Sequence, residues 1–123
     1  MILVDASVWI NDLRAADDRL AAMLGAREVL GHPFVTGEIA LGYLPRRAAV
    51  LAELRNLPPA AMATDQEVMD LIERERLFGR GIGYVDAHLL TAVRLTPEAK
   101  LWTADRPLQA VAAELGLAAI FSH

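Results

Sequence analysis

The chain has 123 residues, 54% of them apolar, a formal net charge of −4 at pH 7 and no cysteine. That size and apolar content suit a single domain over 1–123 that buries a core without staples, and the missing cysteines exclude a disulfide framework, a thiolate metal site and a cysteine nucleophile together. The first apolar run, MILVDASVWI, meets Asp5 too early for a signal peptide or a membrane span, so the expectation is a soluble cytoplasmic protein without a membrane partner.

Along the chain, strands and helices alternate. ILVD (Ile2 to Asp5) is a short aliphatic strand ending at an acid, and Asp17 to Glu28 carries Leu20, Met23, Leu24 and Arg27 at helical spacing. Gly31, His32 and Pro33 break the chain. Phe34 to Thr36 reads as a second strand, and Glu38 to Leu44 and Pro45 to Leu57 read as two helices stopped by Pro58-Pro59. Ala60 to Ala63 is a candidate third strand. Thr64 with Glu67 forms a capping box for a helix to about Phe78, and Gly79, Gly81 and Gly83 make a loop. Tyr84 to Leu95 is a helix, Leu101 to Ala104 a strand, Pro107 to Leu115 a helix ending at Gly116, and Ala118 to Phe121 a last strand. This order predicts an α/β sandwich with a mainly parallel sheet of about five short strands.

Four acids stand out by position. Asp5 and Asp105 close apolar strands at the carboxyl edge, where open parallel sheets place ligands. Glu38, read as following the strand FVT at a helix start, and Asp86, in the first turn of another helix, face the same edge. Each alone has a structural reading: Asp86 as a helix cap, Glu38 as a surface acid, Asp5 as a cap for a helix beginning near Ser7. Together, four carboxylates repel one another and need a cation. Oxygen donors without His or Cys suit Mg²⁺ or Mn²⁺, and such a site suits phosphodiester hydrolysis. Ser7 and Thr103 are candidates to orient a carboxylate or a water, with local capping and strand propensity as their alternative.

Other residues carry less. Arg74, Arg76 and Arg80 lead into the glycine loop as a basic rim for phosphates or a solvated helix face, with Arg80 the stronger candidate for contact. The acidic net charge counts against a nucleic-acid partner, although eleven of the twelve basic residues are Arg, with Lys100 the exception. His88 reads as structural, His32 as a turn residue, and Trp9, Trp102 and Phe34 as core or dimer contacts. A receiver-type signalling domain also sets acids around Mg²⁺, but it needs a late strand-end Lys, and Lys100 precedes its strand.

The blocks ILVDASVWI, HPFVTGEIALG, GRGIGYVDAHLL and LWTADRPL, in that order over essentially the whole chain, resemble the PIN-domain ribonucleases, specifically the VapC-type toxins of bacterial toxin–antitoxin pairs. The resemblance implies a three-layer α/β/α sandwich and an acidic quartet at Asp5, Glu38, Asp86 and Asp105 accompanied by the Thr103 hydroxyl. It further implies cleavage of RNA with Mg²⁺ or Mn²⁺, a homodimer, and inhibition by a small antitoxin that occludes the site. A catalytically silent PIN-like module binding RNA or a partner, and a related DNA nuclease, are the alternatives; the intact acids argue against the first.

Overall fold

The ladder of the central sheet follows directly from three short apolar segments that share one hydrogen-bonding register. In the computed structural model, which describes residues 1–121, β1 (Ile2–Val4) lies between β2 (Val29–Leu30) and β3 (Lys100–Trp102), parallel to both. Leu3 sits opposite Leu30 on one side and Leu101 on the other. Because side chains alternate along a strand, Leu3, Leu30 and Leu101 enter one apolar cluster, while Val4, Val29 and Trp102 enter another.

Helices cover both clusters. Val8 of α1 (Ala6–Arg14) and Leu20 and Met23 of α2 (Asp18–Gly25) pack with Val4, Val29 and Trp102. The other cluster collects α3 (Pro33–Ala40), α4 (Arg47–Arg55), α5 (Asp65–Arg74), α6 (Tyr84–Leu95) and α7 (Arg106–Glu114). Every residue of α6 from Ala87 to Val93 is buried, so this helix is the spine of that layer. Thr64 and Glu67 form the expected capping box of α5, each side chain accepting from the other's backbone N–H. No helix of the described residues is long and apolar enough to cross a membrane.

The sheet is smaller than five strands, and the chain shows why. At one edge Gly31 bridges only to Pro59: Gly31 N–H donates to Pro58 O and Ala60 N–H to Gly31 O, after which Ala61 N–H turns to the Thr96 hydroxyl. Two residues beyond Gly31 the facing strand reaches Pro33, which supplies no N–H and opens a helix, so the ladder stops before Ala60 to Ala63 can extend it. At the opposite edge Leu101 bridges to Ala118 alone. The parallel α/β order therefore stands, with single bridges at Pro59 and Ala118 in place of the strands expected at Ala60 to Ala63 and Ala118 to Phe121.

The segment Phe34 to Thr36 is helix, not strand. Pro33 occupies the first turn of α3, His32 caps it by accepting Phe34 N–H at Nδ1 (3.1 Å), and Val35 and Ile39, one turn apart, both enter the core. A proline-started, capped helix with a buried i, i+4 pair overrides the strand propensity of Val and Thr. The preceding strand is Val29–Leu30. Glu38 consequently lies well inside α3, as its sixth residue, and not at a helix N-terminus.

Candidate active site

Asp5 follows β1 directly, anchored by its N–H to Trp102 O (2.8 Å), and is buried at 6% exposure. It occupies the N-cap position of α1, yet its side chain makes no cap bond. Its Oδ2 instead accepts from Ser7 Oγ (2.6 Å) and Thr103 Oγ1 (2.9 Å), hydroxyls brought from opposite ends of the chain by the β1–β3 pairing. Those hydroxyls are themselves fixed, since Ala104 N–H donates to Ser7 Oγ and Asp105 N–H to Thr103 Oγ1. A buried carboxylate held by two anchored donors keeps one orientation and leaves Oδ1 uncommitted among the described hydrogen bonds.

Asp86 and Asp105 follow the same pattern by another route. Asp86 is the third residue of α6, where Oδ2 accepts Gly83 N–H (3.0 Å); Asp105 caps α7, where Oδ2 accepts Leu108 N–H (3.0 Å). In each, the helix N-terminus takes one oxygen and the other stays available. Capping was the bland alternative to a functional role for Asp86; the geometry makes the two compatible. Glu38 makes no side-chain hydrogen bond among the described residues and projects from α3.

Glu38 and Asp86 register the charges of the neighbouring acids. Burial raises the pKa of Glu38 above its ordinary value, and the charges of Asp5 and then Asp86 raise it further. Burial likewise raises that of Asp86, opposed by the Gly83 N–H bond and reinforced by Asp5 and Asp105. Carboxylates from three helices and a strand end thus share one field. Among the described residues no three acidic or histidine groups approach closely enough to close around an ion as they stand. A cavity of about 390 Å³ between α3 and the 54–59 segment is lined by none of the four.

Several other residues take definite places. Arg80 pairs with Glu114 of α7 (2.9 Å). His32, expected as a turn residue, is a buried cap, and desolvation together with the charge of His88 lowers its pKa to about 4. His88 is buried, with Nε2 3.3 Å from Asp65 Oδ1, and Tyr84 donates its hydroxyl to that same oxygen at 3.1 Å. Asp65 was not singled out in the sequence; the i, i+4 spacing of Tyr84 and His88 was the available signal that they share a partner. Trp102 is core, stacked edge-on to Phe121 beneath the Arg19 guanidinium, and Phe34 lies between His32 and His88.

No family model matches the chain. Two curated relatives do: Ribonuclease VapC32 of Mycobacterium tuberculosis, from the CDC 1551 / Oshkosh and the H37Rv strains, each 52% identical over 118 residues, which is 96% of this chain and 95% of theirs. The chain belongs to the VapC family of PIN-type ribonucleases.

Proposed function

We propose that this single-domain chain is the endoribonuclease toxin of a type II toxin–antitoxin pair and hydrolyses RNA phosphodiester bonds at Asp5, Glu38, Asp86 and Asp105. One observation carries the assignment of residues: acids from four separate places in the sequence share an electrostatic field, with Asp5 held by Ser7 and Thr103. Such repulsion is tolerated where a cation offsets it. The donors are all oxygen, and none is closed into a three-ligand cage, which fits an ion that keeps waters and binds through one or two carboxylates and a substrate phosphate. Mg²⁺ or Mn²⁺ is our choice on that donor chemistry. When bound, it supplies Lewis-acid chemistry, lowering the pKa of a water and offsetting charge at the phosphoryl oxygens.

The chain's own part is positioning. Ser7 and Thr103 fix the Asp5 carboxylate, the starts of α6 and α7 fix Asp86 and Asp105, and Glu38 adds a fourth acid from α3. The partners that follow are an RNA substrate, a cognate antitoxin and a second copy of this chain in a homodimer; the site of action is the cytoplasm. An antitoxin Arg placed among the acids would meet the same unbalanced charge that calls for a metal. The deciding experiment is RNA cleavage with Mg²⁺, with Mn²⁺ and with chelator, comparing the parent with Asp5→Asn and Asp86→Asn. Cleavage should require metal and fall at least a hundredfold in both variants while circular dichroism stays unchanged. Undiminished cutting by either variant removes that residue from the site.

A further inference from the structure

The turn from α5 to α6 builds a slot that the four acids do not use. Gly79 and Gly81 adopt φ of +72° and +79°, left-handed values that favour glycine, and Gly81 packs against Pro107 at the start of α7. The turn so formed encloses about 210 Å³, lined by Ile72, Leu77, Phe78, Ile82, Tyr84 and Ala87 among others. That is below the roughly 300–1,000 Å³ of sites for drug-sized ligands, a scale suited to one flat ring system. Gly83, another lining residue, donates its N–H to Asp86, so the slot and the acidic crevice share a wall.

The rim is aromatic and basic. Phe78 is 59% exposed and Tyr84 47%, whereas large aromatic side chains ordinarily bury most of their surface. Arg76 holds its guanidinium carbon 5.9 Å from the centre of the Phe78 ring. Through Gly83, which lines the slot and donates to Asp86, the exposed ring and its guanidinium adjoin the acidic site of a chain whose net charge is −4. An apolar slot with an open aromatic face and an adjoining guanidinium is the combination by which proteins hold single-stranded nucleic acid: the ring stacks on a base and the cation meets the backbone. A protein segment would also bury Phe78, but it would not call for a guanidinium on that ring next to the turn that holds Asp86.

We propose that this slot receives one unpaired nucleobase of the RNA strand next to the scissile phosphodiester, with Phe78 as the stacking platform and Arg76 at the backbone. The inference rests on the ribonuclease reading above and adds to it the place where the strand is gripped. Stacking tolerates any base, so the slot sets register along the strand and requires a single-stranded substrate.

The test uses the full chain in chelator, where binding is read without cutting, and fluorescence anisotropy of a labelled single-stranded RNA and of the same RNA with one abasic position at a time. Phe78→Ala should weaken binding about five- to hundredfold, the range of one lost base–aromatic stack, while Phe78→Trp stays close to the parent. One abasic position should weaken the parent by a similar factor and cost Phe78→Ala little more. Parent-like binding by Phe78→Ala, or abasic losses that persist undiminished in it, would overturn the slot. So would a Phe78→Ala protein that binds RNA normally but loses mass by light scattering, since the ring would then be a contact between copies of the chain. Adding Mg²⁺ separates the two readings: a parent that cuts RNA while Phe78→Ala binds and cuts equally well refutes the slot alone, and a parent that neither binds nor cuts refutes both.

Discussion

His32 should make this fold acid-labile by an amount that its surroundings set. Its Nδ1 accepts Phe34 N–H at the start of α3, so the neutral ring carries its proton on Nε2, which is buried without a partner. A second proton would have to enter at Nδ1, turning the cap acceptor into a donor that faces another N–H. Desolvation and the nearby His88 therefore hold the pKa near 4, against an ordinary 6.5. The unfolded chain binds this proton more readily than the folded one, so the stability contribution is complete above pH 6.5 and is lost as pH falls from there toward 4. At about 1.36 kcal/mol per pKa unit the full loss is up to about 3 kcal/mol, with about 2 kcal/mol lost between pH 7 and pH 4.5. Glu38 and Asp86, whose pKa values are raised, push the other way on acidification and must be subtracted. His32→Asn does this: Asn caps helices well and does not titrate, so any cavity it leaves costs the same at every pH. Urea unfolding of both proteins in chelator, every half unit from pH 7.5 to 4.5, should show the parent losing its advantage over His32→Asn progressively below pH 6.5. A difference constant to within about 0.3 kcal/mol over that range would refute the argument, because it would mean that His32 titrates alike in both states.

Glu38→Gln should raise the melting temperature of the metal-free protein by a few degrees at neutral pH, since Glu38 has no hydrogen bond to lose and its charge is opposed by Asp5 and Asp86; solvent screening keeps the gain under about 1 kcal/mol. Mg²⁺ at a hundredfold over its dissociation constant should add about 2.7 kcal/mol to the parent and less to the variant, so equal metal shifts in differential scanning calorimetry would mean that Glu38 does not share the cation. Arg80→Ala should lower the salt dependence of RNA binding by about one phosphate contact, with Glu114→Gln, which frees Arg80, shifting affinity upward; an unchanged slope in Arg80→Ala leaves only the ion pair that ties the glycine turn to α7. Light scattering across micromolar concentrations should return the mass of a dimer, and a monomer throughout would remove the second copy from the assembly.

What could be read in the sequence depended on how local its cause was. The capping box at Thr64 and Glu67 and the helix from Tyr84 to Leu95 are set by neighbours within one or two turns, and both appear where the pattern put them. The short strands were harder, because a parallel strand exists only if its partner arrives from far along the chain. Ala60 to Ala63 has strand composition, but its facing strand ends where Pro33 opens α3, and Ala61 N–H is taken by the Thr96 hydroxyl 35 residues away. The histidine cap that starts α3 lay equally out of reach, since His32 before Pro33 looks like a turn until Val35 and Ile39 are seen to be buried.

The positions of the four acids depended on few of those local readings. Asp5 and Asp105 were placed by the ends of β1 and β3, and Asp86 by the start of α6, so a misread edge strand did not move them. Glu38 was expected after a strand, at a helix start; the segment before it is helix, and α3 brings it within the field of Asp5 and Asp86. The spacing from the end of β2 to Glu38 mattered more than the element between them. Hydrogen bonding to the carboxylates was the part only the fold could supply: Ser7 and Thr103 are 96 residues apart, and nothing local to either says that both hydroxyls meet on one oxygen of Asp5. That meeting follows from β1 pairing with β3 in register, Val4 against Trp102, so a shift of that register by one residue would turn Thr103 to the opposite face and leave the buried carboxylate with a single donor. The precision of the site therefore resides in the sheet, which the sequence indicates only through three apolar segments far apart.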